Sequence, residues 1–201
     1  MTSTRAERDA ALHSDADRPS RREQILQAAA QLFAERGARA VGVDDVGAAV
    51  GVTGPAIYRH FASKDAMLAE MLVRISERLL AGGSERVAEA GDDAAAQLRA
   101  LIAFQVDFAL DNPALITVQD RDLGSLAESD AAQVRRLQRR YVEVWVAVLA
   151  RVHPVDDAST CRARAHAVFG LINSTPHSAG RLGRPAMSDL LMRMAWSAAT
   201  A

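Results

Sequence analysis

Twelve residues, Thr53 to Lys64 (TGPAIYRHFASK), concentrate hydroxyl, imidazole and cationic side chains in a chain that is otherwise 49% hydrophobic. Only Ile57 and Phe61 among them are large apolar residues without a polar tip. Thr53, Tyr58, Arg59, His60 and Lys64 can all donate hydrogen bonds, and Lys64 is the only lysine in the chain. Such donors suit oxygen-rich acceptors, above all phosphates and the edges of bases. Gly54 and Pro55 stand beside them as turn and helix-start residues, which lets a backbone come close to a surface.

Covalent chemistry finds less support. The sequence holds no nucleophile elbow, phosphate loop or dinucleotide fingerprint. The paired carboxylates Asp44 and Asp45, Asp92 and Asp93, and Asp156 and Asp157 each open a helix, where the macrodipole favours negative charge. His166 and His177 lack a third ligand, and Cys161 is the only cysteine. A metal site, a cofactor and an enzymatic activity are therefore not expected. The net charge of -1 and pI near 6.5 argue against a wholly basic nucleic-acid coat but leave room for a local basic surface. No apolar run reaches membrane-spanning length and no signal-peptide core stands at the N-terminus, so the expected location is cytoplasmic, with no membrane partner.

Helices alone account for the pattern. Residues 1–19 mix both charge signs and lack large apolar groups, which reads as a flexible arm. Its Arg5, Arg8 and Arg18, with Arg21 and Arg22, could reach a minor groove, or the arm is a solvated tail. Ser20 and Glu23 have capping-box spacing ahead of Ile25, Leu26, Ala29, Leu32 and Phe33, with Gly37 as a stop. A short helix follows from about Asp44 to Val50, burying Val46, Ala49 and Val50. After Gly51 comes a third, about two turns long, anchored by Ile57 and Phe61. Ser63 caps a fourth, whose stripe of Met67, Leu68, Met71, Leu72, Ile75 and Leu79 ends near Gly82 and Gly83.

The helical pattern then continues through Leu98, Leu101, Ile102, Phe108 and Ala109, and through a short helix opened by Asn112 and Pro113. Ser125 and Glu128 have capping-box spacing before a long helix that ends ahead of Pro154. Two more run from about Asp157 to Thr175 and from Pro185 towards the C-terminus. The expected architecture is all-α. A helix-turn-helix domain occupies residues 20–66, and a fourth helix joins it to a helical ligand-binding and dimerisation domain over 67–201.

Two short helices joined by a Gly-containing turn, the second polar opposite Ile57 and Phe61, have the build of a helix-turn-helix. A major groove about 12 Å wide admits one helix, and two turns rise only about 10 Å. The surface that could read bases is thus limited to Gly54, Pro55, Tyr58 and Arg59. VTGPAIYRHFASKDAML resembles the most typical segment of the TetR family of transcriptional regulators, in which a Y-x-H-F element precedes a lysine and a long helix. The likeness runs from Ser20 to about Leu79 and includes Phe33, Gly37, Val46, Gly51 and Val52. It implies that Thr53, His60 and Lys64 contact phosphates, that Tyr58 meets base methyls or backbone, and that Gly54, Pro55 and Arg59 read sequence. It also implies a repressor that a ligand releases from double-stranded DNA.

One short helix reads few base pairs, so a homodimer on a palindromic operator, with heads about 34 Å apart, is expected. Leu190, Leu191 and Met194, facing Ala163, Ala167 and Gly170, would form its seam. Gln105, Tyr141, Trp145 and Asn173 put isolated polar groups on apolar faces. With Phe108 they would line an effector pocket, for a small molecule of lipid-like, aromatic or acyl-thioester character. Core packing accounts equally for Tyr141 and Trp145, and a kinked helix end for Asn173 to Pro176. The rival function is a helical protein-interaction module without DNA.

Overall fold

The computed structural model describes residues 19–178 and 182–201; the proposed arm, apart from Pro19, lies outside them. Among these residues ten α-helices follow one another: α1 (Arg21–Arg36), α2 (Val43–Ala49), α3 (Gly54–Ile57), α4 (Lys64–Glu89), α5 (Ala94–Asp111), α6 (Pro113–Asp122), α7 (Glu128–Val152), α8 (Ala158–Ile172), α9 (Thr175–Ser178) and α10 (Arg184–Thr200). A single 3-10 turn, Leu123–Ser125, links α6 to α7. No strand occurs among the described residues, as expected of an all-α chain. No single helix among them is long and apolar enough to cross a membrane.

The first three helices and the start of α4 close a small core of Ile25, Ala29, Phe33, Val41, Val46, Ile57, Phe61 and Met67, all almost fully buried. Its start is set locally, since Glu23 N donates to Ser20 Oγ at 3.3 Å and Ser20 N to Glu23 Oε2 at 2.7 Å. Gly37 ends α1 at φ 85°, a left-handed conformation that favours glycine. The larger part packs α4 against α7 and α5, α8 against α7, and α10 across α5 and α8. Leu98, Leu101, Val134, Trp145, Leu149, Cys161, Val168 and Ile172 form its centre.

Several boundaries differ from the sequence expectation. Ala49 is exposed, because α2 turns Val46 and Gly47 inward instead. The third helix makes one turn, not two: beyond Ile57 the chain tightens, with Arg59 N bonded to Ala56 O and His60 N to Ile57 O. Ser125 caps nothing, since it belongs to the 3-10 turn and α7 starts on Glu128 after an extended Ala127. The eighth helix ends at Ile172, short of Thr175.

The largest difference concerns Gly82 and Gly83, which do not stop α4. The helix runs through them to Glu89, spanning 26 residues or about 39 Å. A Cβ on Gly82 would stand 2.4 Å from Phe104 Cζ, and one on Gly83 would stand 2.5 Å from Tyr141 Cε2. The two glycines are sockets for aromatic rings of α5 and α7. Gly83→Ala should therefore lower stability by about 1–2 kcal/mol in urea denaturation, overpacking against Tyr141 outweighing the better helix propensity. A gain in stability would show that the Tyr141 ring has room to retreat.

Candidate functional site

The polar stretch sits on a close crossing of α2 and α3. A Cβ on Gly47 would meet Val52 O at 2.8 Å and Gly54 N at 3.3 Å, so only glycine lets the turn pass this near α2. Val52 N bonds back to Gly47 O at 2.9 Å, fixing the turn. Gly54 is buried, and a Cβ there would fall 1.8 Å from Asp44 Oδ1. Its part is to admit the Asp44 carboxylate to the start of α3; it offers no surface to a base. Asp45 bonds Gly42 N at 2.7 Å and so caps α2.

Outward from this turn, Thr53, Pro55, Tyr58 and Arg59 are exposed, Tyr58 by 57%, while Ile57 and Phe61 are buried beneath them. Thr53 stands at the N-cap of α3 without a side-chain bond to it, which leaves its hydroxyl for another partner. Half-buried His60 follows. Lys64 opens α4 and donates to Arg39 O at 3.3 Å, a bond long enough to give way to a phosphate. Sequence position brings these side chains near one another, and the fold leaves Thr53, Pro55, Tyr58 and Arg59 all open to solvent.

What holds that surface rigid is Arg22 on α1. Its guanidinium donates to His60 O and Glu70, including Nε to Glu70 Oε1 at 2.8 Å, and lies 4.2 Å from the centroid of the Phe61 ring. One side chain thus ties α1 to the end of the third helix and to α4. The hydrogen-bonded Arg22 draws the Glu70 carboxyl below its ordinary range, against a smaller opposing effect of burial. Arg21 is likewise engaged, donating to Val50 O at 3.0 Å. Both arginines belong to α1 and not to the arm, and Arg5, Arg8 and Arg18 lie outside the described residues.

In the larger domain a cavity of about 340 Å³ opens between α4, α6, α7 and α8. Gln105, Tyr141 and Asn173 meet at its wall: Tyr141 Oη donates to Gln105 Oε1 at 3.0 Å and Gln105 Nε2 to Asn173 Oδ1 at 3.1 Å. The buried amide that looked hardest to explain is thus satisfied from both ends. Burial pushes the Tyr141 phenol well above its ordinary value. Two expected members stand elsewhere. Phe108 faces Arg78 in a separate groove between α4 and α5, because three residues along α5 turn it about 60° away from Gln105. Trp145 is completely buried behind the wall, edge-on to Phe169 at 4.9 Å and to Tyr141 at 6.4 Å.

The sequence reading missed Ser76, Gln119, Asp120, Gln138, His166 and Phe169, which line the same cavity. Burial raises the Asp120 carboxyl above its ordinary value, and nearby His177 opposes this weakly. Their helical spacing offered a signal only for Gln138 and Tyr141, one turn apart on α7. No group of three or more His, Cys, Asp or Glu that could hold a metal exists among the described residues.

The two regions are joined by the end of α6. Arg121 donates to Ala34 O at 3.1 Å and to Phe33 O, capping the negative end of α1, while Asp122, buried to 5% exposure, grips its guanidinium at 3.0 Å. Asp120, one residue away, faces the cavity.

The family model described as "Bacterial regulatory proteins, tetR family" matches residues 25–71, and that described as "Tetracyclin repressor-like, C-terminal domain" matches residues 91–198. The HTH-type transcriptional repressor KstR2 of Rhodococcus jostii is 34% identical over 131 residues, 64% of this chain and 63% of the relative, so under two thirds of that relative's length is matched. Among solved structures, the ketosteroid transcriptional regulator KstR2 of Mycobacterium tuberculosis superposes with a TM-score of 0.76 at 21% identity, covering 90% of this chain and 95% of that one. AibR, solved in complex with isovaleryl coenzyme A and operator DNA, gives 0.72 at 17% identity, covering 87% of this chain and 97% of its own.

Loss of the Arg22 tie has a pH signature. Arg22→Met should cost about 1–2 kcal/mol in urea denaturation at neutral pH, since the pair is only partly buried. Glu70 has a depressed folded-state pKa, so its contribution is present above the unfolded carboxylate value of about 4.3 and is lost as pH falls through the folded one. The gap between wild type and Arg22→Met should therefore be flat from pH 8 to 6 and narrow below about pH 4. A gap that does not change with pH would assign the cost to packing on Phe61 and the bond to His60 O, and not to Glu70.

Proposed function

Because the chain belongs to the TetR family of bacterial regulatory proteins, we propose that it is a cytoplasmic, sequence-specific DNA-binding regulator, a repressor that a small effector releases from a palindromic operator. The observation that carries this reading is the rigid mounting of an outward polar row, Thr53, Pro55, Tyr58 and Arg59, on a buried Ile57 and Phe61 held by Arg22. A helix start presented this way fits a major groove. Pro55 and Arg59 read bases, Tyr58 meets methyl groups or backbone, and Thr53, His60 and Lys64 hold phosphates. The buried Gly54 serves as spacer.

Release follows from the path between the cavity and the head. Ser76 and Leu79 of α4 line the cavity, and the same helix begins at Lys64 beside the DNA-facing turn. A ligand that displaces α4 or the Arg121 end of α6 tilts the head and changes the spacing of the two recognition helices in a dimer. That dimer forms on α8 and α10. Ala163, Ala167 and Gly170 are exposed there, and Met194 is exposed by 46%, whereas Leu191 turns into its own core and does not belong to the seam. AibR carries both an acyl thioester and operator DNA, which supports a ligand-responsive reading of the shared fold.

The reading is tested on a palindromic duplex selected from a random library, with binding followed by fluorescence anisotropy across salt concentrations. Lys64→Ala should weaken binding to all sequences and lower the log–log salt slope by about 0.9, the change expected when one phosphate is no longer neutralised. Arg59→Ala should cost about 1–3 kcal/mol on the selected site and relax its sequence preference. A chain that binds no duplex at low salt would instead be a protein-interaction module. Met194→Asp should convert a dimer to monomer in sedimentation at micromolar concentration; a variant that stays dimeric places the seam on another face.

A further inference from the structure

The cavity's chemistry narrows what it can hold. Among the described residues no Arg or Lys lines it, whereas Asp120 contributes a carboxylate and Gln119, Gln138 and Asn173 contribute amides. Among those residues no hydrogen bond or ion pair reaches the Asp120 carboxylate. Asn173 uses its carbonyl oxygen on Gln105, which leaves its N–H groups for an acceptor on a ligand. The apolar wall is aromatic: Tyr141 and Phe169 are stacked at 5.7 Å with an interplanar angle of 28°, and Trp145 braces both edge-on from behind. A volume of about 340 Å³ equals about eleven water molecules, the bulk of a two-ring molecule.

We propose that this cavity takes a compact, ring-bearing ligand with an N–H or O–H donor for Asp120 and no negative charge. The proposal rests on the cavity being the effector site, and it selects the aromatic class over lipid-like acids and acyl thioesters. A carboxylate or phosphate brought inside would face Asp120 with only the imidazoles of His166 and His177 nearby to offset it, and a like-charge pair drawn away from water is unfavourable. A donor there replaces the water that Asp120 loses, while the ring lies against Phe169 and Tyr141.

Three probes of one ring size separate the cases: 2-naphthylmethylamine, 2-naphthol and 2-naphthoate, titrated calorimetrically into the full chain. The amine and the naphthol should bind saturably, with 2-naphthoate at least tenfold weaker. Asp120→Asn should abolish the discrimination between amine and carboxylate while keeping naphthol binding. Gln138→Glu, which adds a second carboxylate to the wall, should widen that discrimination. Equal or tighter binding of 2-naphthoate, absence of saturable amine binding, or discrimination unchanged in both variants overturns the proposal. Operator binding by the same preparation is measured separately without any probe, so failure of the regulator reading shows itself there and not in the titrations.

Discussion

A single uninterrupted helix has to serve two domains. The 26 residues of α4 close the core of the N-terminal head with Met67 and Leu68, then line the cavity with Ser76 and Leu79, and finally support α5 and α7 near Glu89. Because helix geometry allows little bending without a break, whatever moves one end moves the other. Two glycines in its last third, Gly82 and Gly83, look like a weak point, since each costs about 1 kcal/mol of helix propensity. They are the positions where Phe104 and Tyr141 press onto the helix backbone. Propensity is sacrificed there for close contact with α5 through Phe104 and with the cavity wall through Tyr141.

The same trade explains where sequence reasoning works and where it stops. Local rules act on neighbours, so the Ser20–Glu23 box, the stop at Gly37 and the Ser63 cap of α4 are all legible and all present. Gly82 and Gly83 carry the same local signal as Gly37, yet the rings that occupy them come from α5 and α7, which no local rule sees. Ser125 fails for a related reason, because a 3-10 turn holds it before the helix it was expected to cap. In the head, the polar row from Thr53 to Lys64 is recognisable by residue type and spacing. The buried position of Gly54 is not, since it depends on where α2 delivers Asp44.

The cavity shows this limit most clearly. Gln105, Tyr141 and Asn173 could be singled out because a polar group on an apolar stripe needs a partner, and the partners prove to be one another. Asp120 and His166 sit on faces whose local pattern is ordinary solvent-exposed helix. Their role emerges only when α6 and α8 are brought to the same opening. Phe108 and Trp145 err in the opposite direction: aromatic character places them near a pocket, but helix rotation sends one to another groove and the other behind the wall.

Four consecutive residues at the end of α6 then connect these observations. Gln119 and Asp120 face the cavity, Arg121 reaches to the carbonyls of Phe33 and Ala34, and buried Asp122 holds that guanidinium in place. The cationic cap sits on the negative end of α1, the helix whose other end carries Arg22 and so fixes His60 and Phe61. A charge-assisted hydrogen bond at each end of α1 makes it a strut between the cavity and the turn that carries Thr53 to His60. The cavity wall is therefore connected to the head by two paths, through α4 directly and through Arg121 along α1. Both paths start from one cavity and end on one turn, because α4 begins at Lys64 and α1 holds His60 through Arg22.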